Sequence, residues 1–198
     1  MDLDVLEARL LAGMAVVYPT STLPGLGAFP DAAGLDAVFA LKARGDEKPV
    51  SLGVRELSDV AHLVDVPSLA HELLDAFPRG SLTLVLPALE RQDPRLGGDR
   101  VAVRRLADPS ALALVDRVGP LTATSANPSG TSPERDTVAA ALALGLPSEA
   151  ALPGRCPGGP GSTFVMLDDQ GEGVEVTVMR AGEVPQQDVV AWLTSRTA

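Results

Sequence analysis

Four polar groups in this chain stand at the ends of short apolar runs, and each has the chemistry to hold an anion. Thr20-Ser21-Thr22 follows Met14–Val17, Arg104 follows Val101–Val103, Ser125-Ala126-Asn127 follows Pro120–Thr124, and Arg180 follows Val174–Met179. If the apolar runs are strands of an open α/β sheet, these groups lie beyond the carboxyl ends of the strands, where such sheets bind ligands. Lys42 and Arg44 close a helical pattern. Lysine offers a point charge and arginine a planar fork of donors, both suited to phosphate or carboxylate. The same two cations also suit a solvated helix C-terminus.

Ser125-Ala126-Asn127-Pro128-Ser129-Gly130 is the most distinctive segment. A hydroxyl and an amide two residues apart can bind a phosphate or an adenine edge; the alternative is an Asx-type turn. Gly158-Gly159-Pro160-Gly161-Ser162-Thr163 precedes an apolar run. Its backbone amides could approach an anion closely, or it could be a plain connection.

Other chemistries find no support. No Gly-x-x-x-x-Gly-Lys-Ser/Thr phosphate loop occurs, and Gly25-Leu26-Gly27 meets Pro30 where a dinucleotide motif needs a third glycine. His62 and His71 are the two histidines, both in expected helices without a ligand pattern, which argues against a serine–histidine triad. Cys156 is the single cysteine, too few for an intrachain disulfide or a zinc cluster. The net charge of −10 repels phosphate backbones over most of the surface, so weak or no direct nucleic-acid binding is expected. Met1-Asp2-Leu3-Asp4 lacks the order of a signal peptide, and no apolar run approaches the ~20 residues of a membrane span. A cytoplasmic protein without membrane contact is expected.

The elements that must position these residues follow from periodicity. Leu3, Leu6, Leu10 and Leu11 give a helix over 2–12, ended by Gly13. A strand over Met14–Val17 leads into a polar, Gly-rich loop that reaches Gly27. A helix is expected over 31–42, a strand over 50–54, and short helices near 56–63 and 67–77. Strands follow at 82–86 and 101–103, then a helix that starts, cap then proline, at Asp108-Pro109. Pro120–Thr124 reads as one strand, 134–144 as a helix, 164–167 and 174–179 as a strand pair, and 186–195 as a last helix. Interleaved helices and strands in 198 residues predict one α/β domain over 1–198 with a mixed sheet.

Taken together, the segments resemble the YrdC-like threonylcarbamoyl-AMP synthases, in the short form. Pro19-Thr20-Ser21-Thr22-Leu23-Pro24-Gly25-Leu26-Gly27 matches the family's opening motif, and Lys42-x-Arg44 with the Lys48-Pro49 step matches the next. Arg79–Thr83 matches loosely; Val103-Arg104, Ser125–Gly130, Ser162-Thr163 and Arg180-Ala181-Gly182 complete the order. The resemblance implies a twisted mixed sheet flanked by helices around a concave basic pocket. It implies that L-threonine and bicarbonate form a carbamate, which attacks the α-phosphorus of ATP to give threonylcarbamoyl-AMP and pyrophosphate. A separate threonylcarbamoyl transferase then modifies adenosine in tRNA. By resemblance, Lys42, Arg44, Ser125 and Asn127 form the catalytic tetrad, and Arg44, Lys48, Ser125, Asn127 and Arg180 hold the nucleotide. Thr20 or Thr22, Arg104 and Ser162 would hold threonine, and Mg2+ would accompany the phosphates.

The chain departs from the pattern at three places. Pro24 replaces an aromatic residue, Gly53 a histidine and Gly45 a proline. The first two keep open a YciO-like paralogue with another small substrate. A non-catalytic RNA-binding module is the alternative from a different class.

Overall fold

In the computed structural model, residues 3–43, 48–169 and 173–197 are described. Helix α1 (Leu3–Leu11) buries Leu6 and Leu10, one stripe of its surface. Strand β1 (Val16–Tyr18) follows, and Thr20–Pro24 turns the chain into β2 (Gly25–Gly27), antiparallel to β1. Asp31 caps α2 (Ala32–Lys42), accepting from Gly34 N at 2.9 Å. Next come β3 (Leu52–Val54), a 3-10 turn at Leu57–Val60, α3 (Ser68–Ala76) and β4 (Leu82–Pro87). Strand β5 (Arg100–Arg105) leads to α4 (Pro109–Val118), whose cap Asp108 accepts from Ser110 N and Ala111 N. The chain continues through β6 (Leu121–Thr122), β7 (Thr124–Ser125) and α5 (Thr137–Ala143), the last capped by Asp136. It closes with β8 (Thr163–Asp169), β9 (Val174–Arg180) and α6 (Gln186–Thr197).

The strands form two sheets: a six-stranded mixed sheet in the order β6-β3-β5-β4-β8-β9 and a three-stranded one in the order β1-β2-β7. Ala123 joins them, between β6 in the large sheet and β7 in the small one, and its N–H donates to Ser51 O at 2.7 Å. The expected single strand over Pro120–Thr124 is therefore two short strands serving different sheets.

Gly25–Gly27, expected as loop, is strand β2. Added Cβ atoms would stand 2.9 Å and 2.6 Å from the Tyr18 ring at Gly25 and Gly27, so the strand exists because glycines let it pass beside that side chain. Two other expectations shift. The first strand ends at Tyr18 rather than Val17, and His62 lies in a turn after a 3-10 segment rather than in a helix.

Strand β1 separates two apolar cores. Val17 belongs to the larger, with Leu26, Leu52, Leu84, Val103 and Val165; Val16 and Tyr18 face the smaller, with Leu6, Leu114 and Leu121. This is the two-residue alternation of a strand buried on both faces. Tyr18 has no exposed surface, its hydroxyl donates to Thr122 O at 2.8 Å, and burial pushes its pKa up.

Candidate active site

A cavity of about 210 Å³ opens where the two sheets meet. Thr20, Thr22, Arg104, Ser125, Ser162 and Arg180 all line it. These residues lie in five separate stretches of sequence, and the sheets bring them together.

Arg104 is the centre of its charge. It follows Val103 in β5; Val103 enters the core, so Arg104 points to the opposite face. The side chain is buried, with 7% exposure. Nε donates to Gly80 O at 2.8 Å, and Nη2 donates to Thr22 Oγ1 at 3.0 Å and Ser21 Oγ at 3.2 Å. Among the described residues Arg104 forms no ion pair. Burial lowers its pKa, partly offset by the electrostatic influence of Tyr18 and Glu183. Arginine nonetheless keeps its charge in proteins. A buried cation without a carboxylate is an uncompensated cost until an anion arrives.

The Thr20–Thr22 turn is made rigid by its own hydroxyls. Thr20 Oγ1 donates to Leu23 O at 2.7 Å and accepts from Thr22 N at 3.2 Å. Two longer-range bonds tie it down: Thr20 N donates to Cys156 Sγ at 3.3 Å, and Gly158 N donates to Thr22 O at 2.8 Å. The Gly-rich segment thus braces the turn.

Across the cavity, Arg180 Nη2 donates to Ser162 O at 2.9 Å, and its guanidinium lies over the Phe164 ring at 4.2 Å. Burial lowers the Arg180 pKa. Thr163 Oγ1 accepts from Gly182 N at 2.9 Å and Val184 N at 3.0 Å and donates to Val184 O at 2.5 Å. That threonine fastens the segment after β9 against the start of β8, and so sets where Arg180 and Ser162 stand.

Lys42 and Asn127 lie behind the wall rather than on it. Lys42 is buried, and its ammonium donates to Ser125 O and to Asn127 O, the latter at 2.7 Å. In return Ser129 N donates to Lys42 O at 3.1 Å. The adjoining Ala43 has φ 46°, a left-handed conformation that costs a non-glycine residue about 1–2 kcal/mol. It ends α2 directly after Lys42. Asn127 Nδ2 donates to Pro128 O at 3.0 Å and Thr131 O at 2.8 Å, so its amide closes its own turn. Its Oδ1 is buried without a hydrogen-bond partner among the described residues. Lys48 is exposed and off the wall, although Pro49 lines it. Arg44 and Gly45 lie outside the described residues.

Sequence reasoning assigned no role to several neighbours. Ser51 and Phe164 line the cavity, and Thr83 Oγ1 stands 2.6 Å from Ser162 Oγ. The signals available for Thr83 were its place at the end of the loosely matched Arg79–Thr83 segment and its hydroxyl inside the apolar run Leu82–Leu86. Of the two departures near the pocket, Pro24 lines the cavity and Gly53 does not. An added Cβ at Gly53 would meet Tyr18 Oη at 3.0 Å and Leu106 Cδ2 at 3.1 Å, so the smaller core takes up that space. Both histidines are exposed and off the wall. The cavity therefore suits anion binding and positioning, with hydroxyls and guanidinium groups supplying the contacts.

Known proteins share this arrangement of chain. The family model for Sua5, YciO and YrdC proteins, described as "Telomere recombination", matches residues 8–182. The threonylcarbamoyl-AMP synthase of Halorhodospira halophila is 36% identical over 156 residues, which is 76% of this chain and 82% of that protein. The structure of P. abyssi Sua5 complexed with L-threonine superposes with a TM-score of 0.81 at 27% identity, covering 96% of this chain and 56% of that one. E. coli YciO shares the fold, with a TM-score of 0.75 at 21% identity over 95% of this chain and 93% of that one. By a family match over most of its length and by the Halorhodospira halophila relative, the chain belongs to the Sua5, YciO and YrdC family.

Proposed function

We propose that this chain makes threonylcarbamoyl-AMP from L-threonine, bicarbonate and ATP, the intermediate for threonylcarbamoyl-adenosine in tRNA. One observation carries the reading: Arg104, a buried guanidinium with no ion-pair partner among the described residues, opens with hydroxyls onto a cavity at a sheet junction. That is a seat for the carboxylate of an amino acid. Relatives named for this synthesis, and a neighbour of the same fold that binds L-threonine, support the same conclusion.

On this reading the amino acid sits on Arg104, Ser162 and the Thr20–Thr22 turn. Its amino group reacts with bicarbonate, releasing water and forming a carbamate whose oxygen attacks the α-phosphorus as pyrophosphate leaves. Ser125 and Arg180 meet the nucleotide, and Lys42 fixes the Ser125–Asn127 turn from behind. Arg44 and Lys48 would add charge near the phosphates. Catalysis comes from positioning two anions beside fixed cations, without a covalent nucleophile. Among the described residues the lining carries no carboxylate, and no group of three metal-ligating side chains forms. These residues do not build a magnesium site of their own; Mg2+ belongs with the phosphates of ATP. The product would pass to a transferase in the cytoplasm, with residues 1–198 acting as one catalytic domain.

Pyrophosphate release in ATP, bicarbonate and a panel of amino acids tests the reading. Threonine-dependent release is expected. Arg104→Ala should raise the KM for threonine by about 30–150-fold, the loss of roughly 2–3 kcal/mol from a charge-assisted contact. Release that is indifferent to threonine, or a preference for another amino acid, would discard the proposed substrate. The second result would fit the change at Pro24.

A further inference from the structure

Strand β4 sorts its side chains by alternation. Leu82, Leu84 and Leu86 enter the larger core, so Thr83 faces the other way. Thr83 is fully buried, and its Oγ1 lies 2.6 Å from Ser162 Oγ. Parallel pairing of β4 with β8 places Thr83 opposite Phe164, two residues after Ser162, and holds the two hydroxyls in place.

Two hydroxyls in contact share one proton, in one of two directions. If Ser162 donates, the Thr83 proton is left buried with no acceptor among the described residues, an arrangement protein interiors avoid. If Thr83 donates, its own proton is satisfied and Ser162 Oγ becomes the acceptor. The proton of Ser162 is then free, and Ser162 lines the cavity that Arg104 also lines.

We infer that Thr83 is a positioning residue: by donating to Ser162 Oγ it commits Ser162 to donate into the cavity, to the carboxylate of an α-amino acid seated on Arg104. The inference rests on the proposed function, which puts an amino acid at that place. It goes further in giving Ser162 one direction of hydrogen bonding and assigning the control of that direction to a residue that touches no substrate. Thr83 should therefore act on the amino acid and leave the nucleotide alone.

Steady-state kinetics of Thr83→Val and Thr83→Ser, beside the wild type, test this. Valine keeps the shape and removes the donor; serine keeps the donor. In Thr83→Val the KM for L-threonine should rise about tenfold. The KM for ATP should stay within about twofold. Thr83→Ser should return the threonine KM to near the wild-type value. Adding Thr83→Val to Ser162→Ala should change nothing further, because the proton it directs is gone. If Thr83→Val fails to fold, Thr83→Ala takes its place in the same cycle. An unchanged threonine KM, an equal rise for ATP, no rescue by serine, or additive effects in the double variant would each overturn the inference. A wild type without threonine-dependent turnover would instead remove the proposed function. Calorimetric titration of L-threonine into wild type and Thr83→Val then decides the inference separately. Tighter binding by the wild type keeps it, and no difference ends it.

Discussion

Cys156 and Tyr18 show what burial does to single titratable groups. Cys156 is buried beside the Thr20 turn and accepts from Thr20 N, and burial pushes its thiol pKa up; Tyr18 is raised for the same reason. Both groups are neutral when protonated. The folded state keeps these protons after the unfolded chain has begun to lose them, at about pH 8.5 for a thiol and about 10 for a phenol. Their contribution to stability is therefore whole below those values and is lost as the pH climbs through the raised ones. Urea midpoints measured between about pH 7 and pH 10 should fall at the alkaline end. Cys156→Ser, which keeps an acceptor for Thr20 and removes the thiol titration, should fall less steeply. A midpoint equally steep in the variant would rule out Cys156 as a source of the slope.

Elements matter here through what they hold still. Gly182 follows β9, and an added Cβ there would stand 2.1 Å from Gly161 O and 2.6 Å from the Ser162 carbonyl carbon. Those are backbone atoms of the cavity wall, so they cannot swing aside as a side chain would. Gly182→Ala should cost about 1–3 kcal/mol in urea unfolding, the usual range for overpacking. It should also displace Ser162 and weaken threonine use. A variant of wild-type stability and activity would show that the segment after β9 is not pressed against the site. The caps Asp31, Asp108 and Asp136 work at the same scale, fixing where α2, α4 and α5 begin. Of these, α2 delivers Lys42 beneath the Ser125–Asn127 turn, and α5 follows the loop that this turn opens.

At the scale of the whole molecule, the balance of charge decides the class of ligand. The chain carries a net −10, yet among the described residues the cavity wall presents two guanidinium groups and no carboxylate. A small anion needs only the cavity; a long phosphate backbone would also meet the chain's net negative charge. A gel shift with double-stranded RNA at about 0.15 M salt should show no retained complex. Tight, nucleotide-independent binding under those conditions would instead favour an RNA-binding module. No helix among the described residues is long and apolar enough to cross a membrane.

Much of this protein is local and so was legible in the residues themselves. Periodicity placed most helices and strands, Asp108-Pro109 marked the start of α4, and the order of the Thr20, Lys42, Ser125 and Arg180 segments carried the family resemblance. Those signals depend on neighbours within a few positions. What tertiary structure decided depends on residues far apart. Gly25–Gly27 became a strand because Tyr18 and two partner strands needed it there. Lys42 went beneath a turn 85 residues away, and Thr83 met Ser162 across 79. No propensity encodes such meetings, since they arise only when sheet pairing closes the chain on itself.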